Sequence, residues 1–496
     1  MRPPYRTAAL LMLALTFAGC AVLRAPHDAH LASADGAVQA CAKWYRSLDR
    51  AVKRAGVADI GARRIDGFPY LRTDRFTASF ANAAGEDTQV FDAWVSRMRA
   101  LAEEGRAVEL ANLPASAYAA LGVSDAGALD RSRHCAGQLA AADLASEDTR
   151  RLLVEQARVE DDYSGLKRAV GLYPLVQFPF SFGVEQWHRQ TRAAFEAAAA
   201  GARPAHPLRR YVPPAGEVYA RDQVAALLAR ADDSALGVPE LSPTERDRLF
   251  HTYAPVSEVE TNGEYDRIGR LHWAQAAYPG VDVSQPLIYR DLAYTRLSGR
   301  TLVQLVYTAW FPQRPGAHAF DLLAGRLDGL VWRVTLAPDG SPLLFDSIHP
   351  CGCYHLFFPT PRLEPVPSPG PLVEWAFSPA AMPVLGEGQR VRLAVRTRSH
   401  YLYAVAAVGA VLGIAYDMAD YDALRSLPLA GGGSRSAFAP DGLVPGSGRG
   451  ERFLFWPMGI RSAGAMRQWG THATAFLGRR HFDDADLIER RFRLLE

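Results

Sequence analysis

The sequence predicts an α+β fold, with a mainly helical N-terminal half followed by a β-rich C-terminal half that carries long loops. Apolar residues recur at helical spacing through residues 41–250. Beyond that point the apolar runs are short, aromatic and β-branched, as at 302–311. Proline and glycine concentrate at 359–371 and 429–450, which predicts that long loops lie in the second half.

The helical half shows its strongest amphipathic pattern at Phe91, Trp94, Met98 and Leu101. This spacing predicts a long helix with one buried face, and such aromatic and methionine stripes are typical of a core and not of a cofactor site. A Ser-Pro-Thr-Glu capping box at 242–245, with proline at the first helical position, predicts that a further helix starts there.

The β-rich half contains several predicted strands. Two of them, at 331–336 and 343–348, are separated by the turn signal Pro338-Asp339-Gly340 and form a predicted hairpin. The other predicted elements are strands at 302–311, at 373–377 and within 391–405, and a closing helix at 484–495.

The N-terminus has the pattern of a secretory signal. Arg2 and Arg6 precede an apolar stretch at 8–18, which is too short to span a bilayer. The stretch ends in Phe17-Ala18-Gly19-Cys20, which resembles the lipobox of bacterial lipoproteins, with Phe17 in place of the usual leucine. The resemblance implies cleavage before Cys20 and attachment of lipid, palmitate included, to that cysteine. An ordinary signal whose cleavage site precedes a cysteine is the alternative.

These patterns divide the chain into a signal peptide at 1–19, a small and polar tether at 20–38, a mainly helical domain at 39–250 and a β-rich domain at 251–496. Removal of the signal takes two arginines and no acidic residue, so the mature chain has equal numbers of basic and acidic residues. This neutral balance argues against a nucleic-acid partner, which requires an excess of cations. The sequence also lacks the Walker A, HExxH and GxSxG motifs.

With Cys20 lipidated, four cysteines remain, and they allow three pairings. Disulfides are the default in an oxidising compartment. The spacing favours a Cys41–Cys135 disulfide in the helical half and leaves Cys351 and Cys353 as a separate pair.

The densest group of chemically versatile residues is His349-Pro350-Cys351-Gly352-Cys353-Tyr354-His355, directly after the predicted hairpin. Its imidazoles and sulfurs suit zinc or copper, and cysteine with histidine can act as nucleophile and base. His400 is the candidate for a remote partner. Asp321, Asp328 and Asp346 are candidates to orient an imidazole, with turn or cap roles as the alternative. The alternative for the cysteines is a tight structural disulfide across glycine.

A second candidate site is a cationic face. Alternation along the strand that starts at Val391 places Arg392, Arg396, Arg398 and His400 on one side. Three guanidiniums there can each bind a carboxylate or phosphate through two hydrogen bonds, so the face is a candidate anion-binding site. A solvated strand face is the alternative.

The C-terminal segment has a mixed character. Trp469, His472, Arg479 and His481 fit neither an all-surface nor an all-core pattern, which is typical of a pocket wall. We therefore list these four residues as a candidate pocket wall and assign catalysis to none of them.

Several short strings resemble a group of uncharacterised proteobacterial lipoproteins, and the resemblance covers most of the mature chain. The strings are Asp161-Asp162-Tyr163, Gly171-Leu172-Tyr173-Pro174, Asp346-Ser347-Ile348-His349, Cys351-Gly352-Cys353-Tyr354-His355 and His472-Ala473-Thr474-Ala475-Phe476. The resemblance implies a cell-envelope lipoprotein and no particular activity. In such proteins a residue other than Asp after the lipidated cysteine implies the outer membrane, and here that residue is Ala21.

We therefore expect a lipid-anchored outer-membrane protein that faces the periplasm and acts as a non-catalytic structural or interaction component. Its expected partners are the membrane, through the N-terminal lipid, and envelope proteins. One alternative is a metal- or thiol-dependent periplasmic enzyme that uses His349, Cys351, Cys353 and His355. Another is a binder of small anionic ligands.

Overall fold

The computed structural model describes residues 26–274 and 277–495, so the predicted signal peptide and Cys20 lie outside the described residues. The helices are α1 (Pro26–His30), α2 (Gly36–Ala55), α3 (Arg75–Ala78), α4 (Ala81–Glu86), α5 (Thr88–Ala111), α6 (Ala115–Leu121), α7 (Asp125–Asp143), α8 (Glu147–Gln156), α9 (Gly165–Val170), α10 (Tyr173–Ala199), α11 (Arg221–Leu228), α12 (Pro243–Tyr253) and α13 (Glu451–Leu454). Within the described ranges, no helix is long and apolar enough to cross a membrane.

The strands are β1 (Arg63–Ile65), β2 (Phe68–Thr73), β3 (Leu208–Val212), β4 (Val256–Glu260), β5 (Arg270–Trp273), β6 (Pro279–Asp282), β7 (Leu287–Leu297), β8 (Arg300–Arg314), β9 (Gly325–Leu336), β10 (Pro342–Ile348), β11 (Leu356–Pro359), β12 (Leu363–Pro365), β13 (Arg390–Val395), β14 (Leu402–Val408), β15 (Ile414–Ala415), β16 (Asp417–Asp420), β17 (Leu427–Pro428), β18 (Ser434–Arg435) and β19 (Phe492–Leu494). Helices dominate the first half and strands the second, which confirms the predicted α+β fold.

The N-terminal helices pack around large buried aromatic side chains. The indole Nε1 of Trp44 donates to Ser132 Oγ at 3.2 Å, and that of Trp94 donates to the carbonyl of Thr77 at 2.8 Å. The structure contains the predicted Cys41–Cys135 disulfide, which joins α2 to α7. The disulfide thus links two helices that are separated by 94 positions in the sequence.

The predicted tether at 20–38 overlaps described helical structure, because α1 begins at Pro26 and α2 at Gly36. The backbone N–H of His27 donates to the carbonyl of Gly67 at 3.2 Å. The Nε2 of His30 lies 2.5 Å from Asp143 Oδ1, which holds α1 against α7. Residues 20–25 of the predicted tether lie outside the described residues.

Two sheets form the body of the second half. The larger sheet has the order β11-β10-β9-β8-β7-β16 and is antiparallel apart from the β7–β16 pair. The smaller sheet has the order β14-β13-β4-β3-β15, in which β4–β13 and β3–β15 run parallel. The predicted hairpin is confirmed as β9–β10, where Phe345 lies opposite Val334.

The two sheets share one hydrophobic core. Tyr307 and Phe311 of β8 belong to the same buried cluster as Leu393 of β13. The residues of β8 that alternate with these, such as Val306, point to the opposite face of the larger sheet. There the C-terminal segment covers them, with Phe482 packed in one cluster with Val306.

The predicted closing helix at 484–495 is wrong. Residues 484–491 form mainly turns, and β19 pairs with β12. Leu487, Ile488 and Phe492 are buried in one cluster with residues of the larger sheet. Burial against the sheet therefore outweighs the helical pattern of this segment.

One further prediction needs correction. The segment at 373–377 is not a strand, and it lies in a part of the chain rich in proline and glycine, which disrupts strand pairing.

The smaller sheet extends across the predicted domain boundary at residue 250, because β3 precedes that residue and pairs with β4, which follows it. Val224 of α11 and Leu249 of α12 likewise belong to the core of the sheets.

Candidate functional site

Asp328 lies at the centre of the candidate functional site. It belongs to β9, is completely buried and binds two imidazoles with its carboxylate. The Nδ1 of His349 is 3.1 Å from Oδ1, and the Nδ1 of His400 is 2.9 Å from Oδ2. Because His349 follows β10 and His400 lies between β13 and β14, this carboxylate joins the larger sheet to the smaller one.

The charges of this group follow from its surroundings. Burial raises the pKa of Asp328, but the Arg449 guanidinium 3.3 Å away and the imidazoles lower it more, so it lies well below its usual range. Burial lowers the pKa of His349 by more than the Asp328 carboxylate raises it, which favours the neutral ring. Burial also lowers the pKa of His400, but hydrogen bonds to Asp266 and Asp328 raise it by more. Since the carboxylate is ionised, both Nδ1 atoms donate to it.

The backbone around this group adopts unusual conformations. Leu327, Tyr354, Arg398 and His400 have φ angles of 57°, 64°, 62° and 52°. Each such conformation costs a non-glycine residue about 1–3 kcal/mol. The His400 ring is held by stacking on Phe311, with centroids 3.9 Å apart and planes 4° apart. Backbone strain of this kind concentrates at functional sites.

Cys351 and Cys353 are free thiols in this structure, the first buried and the second partly exposed. Burial raises the pKa of Cys351, but the hydrogen bond from Cys353 and the charge of Arg449 lower it below its ordinary value. The same hydrogen bond, together with burial, raises the pKa of Cys353. Gly352 between them has φ of 89°, which this turn requires and a side chain would strain.

His355 is separate from this group. Its Nε2 lies 2.9 Å from Asp346 Oδ2, and Arg333 binds the same carboxylate through hydrogen bonds of 2.9 and 2.6 Å. By strand alternation Arg333 points to the opposite face of β9 from Asp328. The predicted ligands His349 and His355 therefore do not converge. In the part of the chain that the structure describes, no three His, Cys, Asp or Glu side chains are arranged to hold a metal ion.

Two of the three aspartates near the hairpin do orient imidazoles: Asp328 holds His349, and Asp346 holds His355. Asp321 has a turn role, since it accepts hydrogen bonds from the backbone of residues 317 and 323. The sequence analysis missed Asp266 and Arg449. Asp266 ends a short 3-10 helix and Arg449 lies in a loop, and no spacing pattern in the sequence relates either of them to the histidines.

The predicted cationic face is neutralised within the smaller sheet. Arg392 Nη1 is 3.0 Å from Glu258 Oε2, and Arg396 Nη1 is 2.6 Å from Glu260 Oε1. The strand ends at Val395, so Arg398 does not continue its face as alternation predicts, and its guanidinium binds a backbone carbonyl. Buried glutamates already form ion pairs with Arg392 and Arg396. These contacts argue against an anion-binding site on this face.

Trp469, a predicted pocket-wall residue, lines a cleft of about 300 Å³ between the helical and β-rich regions. Glu104 of α5, Asp291 of β7 and Arg425 also line it. Burial and the charges of Asp422 and Glu104 raise the pKa of Asp291 to about 7. The cleft is thus strongly charged and carries one carboxyl that titrates near neutral pH.

The other predicted wall residues do not line this cleft. His472 is buried beside Trp469, with ring centroids 6.2 Å apart. Arg479 and His481 both pair with Asp161, the latter at 3.4 Å. The four residues therefore do not share this cleft, and Arg479 and His481 belong to an ion-pair cluster.

Comparison with known proteins identifies no relative. No family model, no curated protein and no solved structure matches this chain.

Proposed function

We propose that this chain is a lipid-anchored protein of the bacterial outer membrane that faces the periplasm and acts as a non-catalytic structural or interaction component. The signal pattern that ends at Cys20 supports the anchor. The Cys41–Cys135 disulfide supports export, because such bonds persist in oxidising compartments.

One observation carries the non-catalytic role: each histidine of the candidate site binds a buried carboxylate inside the fold. His349 and His400 donate to Asp328, and His355 binds Asp346. These contacts link strands to each other and the larger sheet to the smaller one. The residues that the sequence offers for chemistry are thus used to hold the two sheets together.

Fractionation of cells tests the anchored location. We expect the wild-type protein to remain in the outer-membrane pellet after extraction with alkaline carbonate, which removes peripheral proteins. The matched variant carries residues 21–496 behind a cleavable secretory signal, so that it is exported without Cys20. This variant should be extracted by carbonate. Wild-type protein in the carbonate supernatant would overturn the proposal.

A second candidate function, thiol–disulfide exchange, is favoured by the pair of free thiols. Cys351 has the lowered pKa of a nucleophile, and Cys353 is positioned to resolve the intermediate. In this reaction the Cys351 thiolate attacks a substrate disulfide and releases one substrate thiolate. Cys353 then loses its proton and displaces the second, which leaves a Cys351–Cys353 disulfide and a reduced substrate.

Trapping of the mixed disulfide tests this second candidate. With oxidised glutathione at pH 8, the Cys353→Ser variant should accumulate a glutathione adduct on Cys351. The matched Cys351→Ser variant should react more slowly, because burial still raises the pKa of Cys353, whereas the charge of Arg449 still lowers the pKa of Cys351 in the Cys353→Ser variant. If neither variant reacts while folded and both react in urea, the thiols are structural.

A further inference from the structure

The helices α9 and α10 expose an unusual amount of apolar surface. Leu166, Val170, Leu172, Leu175, Phe178 and Phe182 are each between 51% and 76% exposed. Phe453, Leu454 and Trp456, from α13 and the turn after it, add exposed fractions of 66%, 56% and 38%. We call these nine side chains the apolar surface. Contiguous apolar patches of this kind on a folded protein mark interaction sites.

The sequence explains the exposure of this region. Residues 169–184 contain no Asp, Glu, Lys or Arg. The part of α10 that packs on the core lies further along, where Thr191 and Phe195 are buried. The first half of α10 is therefore as apolar as a core helix and yet faces solvent.

The two segments form one continuous surface. The ring of Phe180 lies 5.1 Å from that of Phe455, between centroids. Arg168 Nε donates to the carbonyl of Met458 at 2.8 Å. A Cβ at Gly171 would lie 2.6 Å from the Pro457 side chain, so the backbones approach closely there. These contacts fix α9 and α10 against the turn that carries Trp456.

We propose that the apolar surface binds the surface of a lipid bilayer that contains anionic headgroups. The inference rests on the proposed function, because it places the body beside the membrane that holds the lipid of Cys20. Leucine and phenylalanine side chains with a tryptophan at the edge are typical of proteins that lie in the membrane interface. Lys167 and the exposed Arg452 border the surface and suit anionic headgroups.

The position of the anchor supports a lipid occupant. Cys20 precedes the first described residue, Pro26, by six positions, which reach about 20 Å when fully extended. The first described residues lie against the β1–β2 hairpin, where the backbone N–H of His27 donates to the carbonyl of Gly67. Arg63 of the same hairpin lies 3.0 Å from Asp162, which precedes α9 by three residues. The short tether and the apolar surface thus attach to neighbouring parts of the body.

Flotation with lipid vesicles tests the proposal independently of lipidation. The exported body of residues 21–496 is mixed with vesicles of phosphatidylglycerol and phosphatidylethanolamine and centrifuged through a density gradient. We expect the body to float with these vesicles and to bind less when phosphatidylglycerol is omitted or salt is raised. The triple variant Leu175→Glu, Phe178→Glu and Phe182→Glu should lose binding at least about tenfold, because each change places a charge in the interface.

A matched control replaces two exposed apolar side chains outside the surface, Phe320→Glu and Leu412→Glu, which are 88% and 91% exposed in the wild type. This double variant should float like the wild type. A retained melting temperature for each variant shows that it is folded. Equal flotation of the triple variant and the wild type would overturn the proposal.

Two other outcomes would also overturn it. If the wild-type body fails to float while folded and monomeric, lipid is not the occupant. If it is a dimer without vesicles and the triple variant is a monomer, a second copy is the occupant. The flotation experiment uses protein without Cys20, so its result does not depend on lipidation. If the anchor proposal is wrong, only the carbonate fractionation shows it.

Discussion

Arg425 and Asp59 are separated by 366 positions in the sequence and form an ion pair with two hydrogen bonds. Nε lies 3.0 Å from Oδ1, and Nη2 lies 2.7 Å from Oδ2. The two side chains are only 6% and 2% exposed. Since Asp59 follows α2 and Arg425 follows β16, the pair joins the helical region to the β-rich region.

We expect Asp59→Asn to lower the free energy of unfolding by about 3 kcal/mol, because it removes the buried counter-charge of Arg425. Urea unfolding followed by tryptophan fluorescence measures the change. The control Asp130→Asn removes one partner of an exposed pair with Arg133, with side chains 76% and 49% exposed. Its effect should stay below about 0.5 kcal/mol. Equal effects of the two variants would contradict the joining role of Asp59.

His481 is expected to make stability depend on pH. Burial lowers its pKa, but hydrogen bonds to Asp161 and Asp484 raise it more, to about 9. Asp162 and Arg75 also face it, and Arg75 lowers its pKa in part. The pKa of His481 in the folded state exceeds its ordinary value. The charged ring therefore contributes fully to the free energy of unfolding below about pH 6.5, and this contribution disappears as pH rises through 9.

His481→Gln should therefore lower the free energy of unfolding by up to about 3 kcal/mol at pH 6 and by little at pH 10. Urea unfolding at a series of pH values measures the difference from the wild type. The exposed His318, changed to Gln, serves as the control and should show no such trend. If the loss of unfolding free energy caused by His481→Gln is the same at every pH, the raised pKa of His481 is refuted.

Asp291 is expected to destabilise the folded protein at alkaline pH. Its pKa of about 7 exceeds that of an unfolded aspartate, so the penalty is absent below about pH 4 and complete above pH 7. Asp291→Asn should therefore raise the free energy of unfolding by about 2 kcal/mol at pH 8 and change it little at pH 4. The control variant Asp92→Asn, at an exposed position, should change the free energy of unfolding at neither pH. Destabilisation by Asp291→Asn at pH 8 would show that the carboxylate is needed there.

The Cys41–Cys135 disulfide closes a loop of 94 positions, and loss of such a cross-link costs about 4.6 kcal/mol in the chain-entropy model. The double variant Cys41→Ser and Cys135→Ser should therefore unfold at a lower urea concentration than the wild type. Reductant should lower the melting temperature of the wild type and leave that of the variant unchanged. A wild type that is insensitive to reductant would contradict a structural role.

Local sequence patterns predicted the elements that local rules determine. The β9–β10 hairpin follows from strand alternation and the turn at Pro338-Asp339-Gly340, and α12 begins at the predicted capping box. The segment at 484–495 has a helical pattern, but burial of Leu487 and Phe492 against the sheet decides its conformation. No local rule reports such a contact.

The candidate site was predicted only in part, for the same reason. His349, Asp328 and His400 were all named from the sequence, since each lies beside a strand or turn signal. Their shared hydrogen bonds depend on how two sheets pack, which the order of residues does not contain. Arg449 reaches Asp328 from a loop over a hundred positions away. His355 was grouped with His349 by proximity in sequence, whereas it binds Asp346, whose partner Arg333 points to the opposite face of β9 from Asp328.

Mass spectrometry of the N-terminal peptide of protein purified from membranes tests the anchored location most directly. We expect a peptide that begins at Cys20, lacks residues 1–19 and carries a diacylglyceryl thioether on the cysteine sulfur. A peptide that retains Met1, or one that begins at Cys20 with an unmodified thiol, would contradict the account.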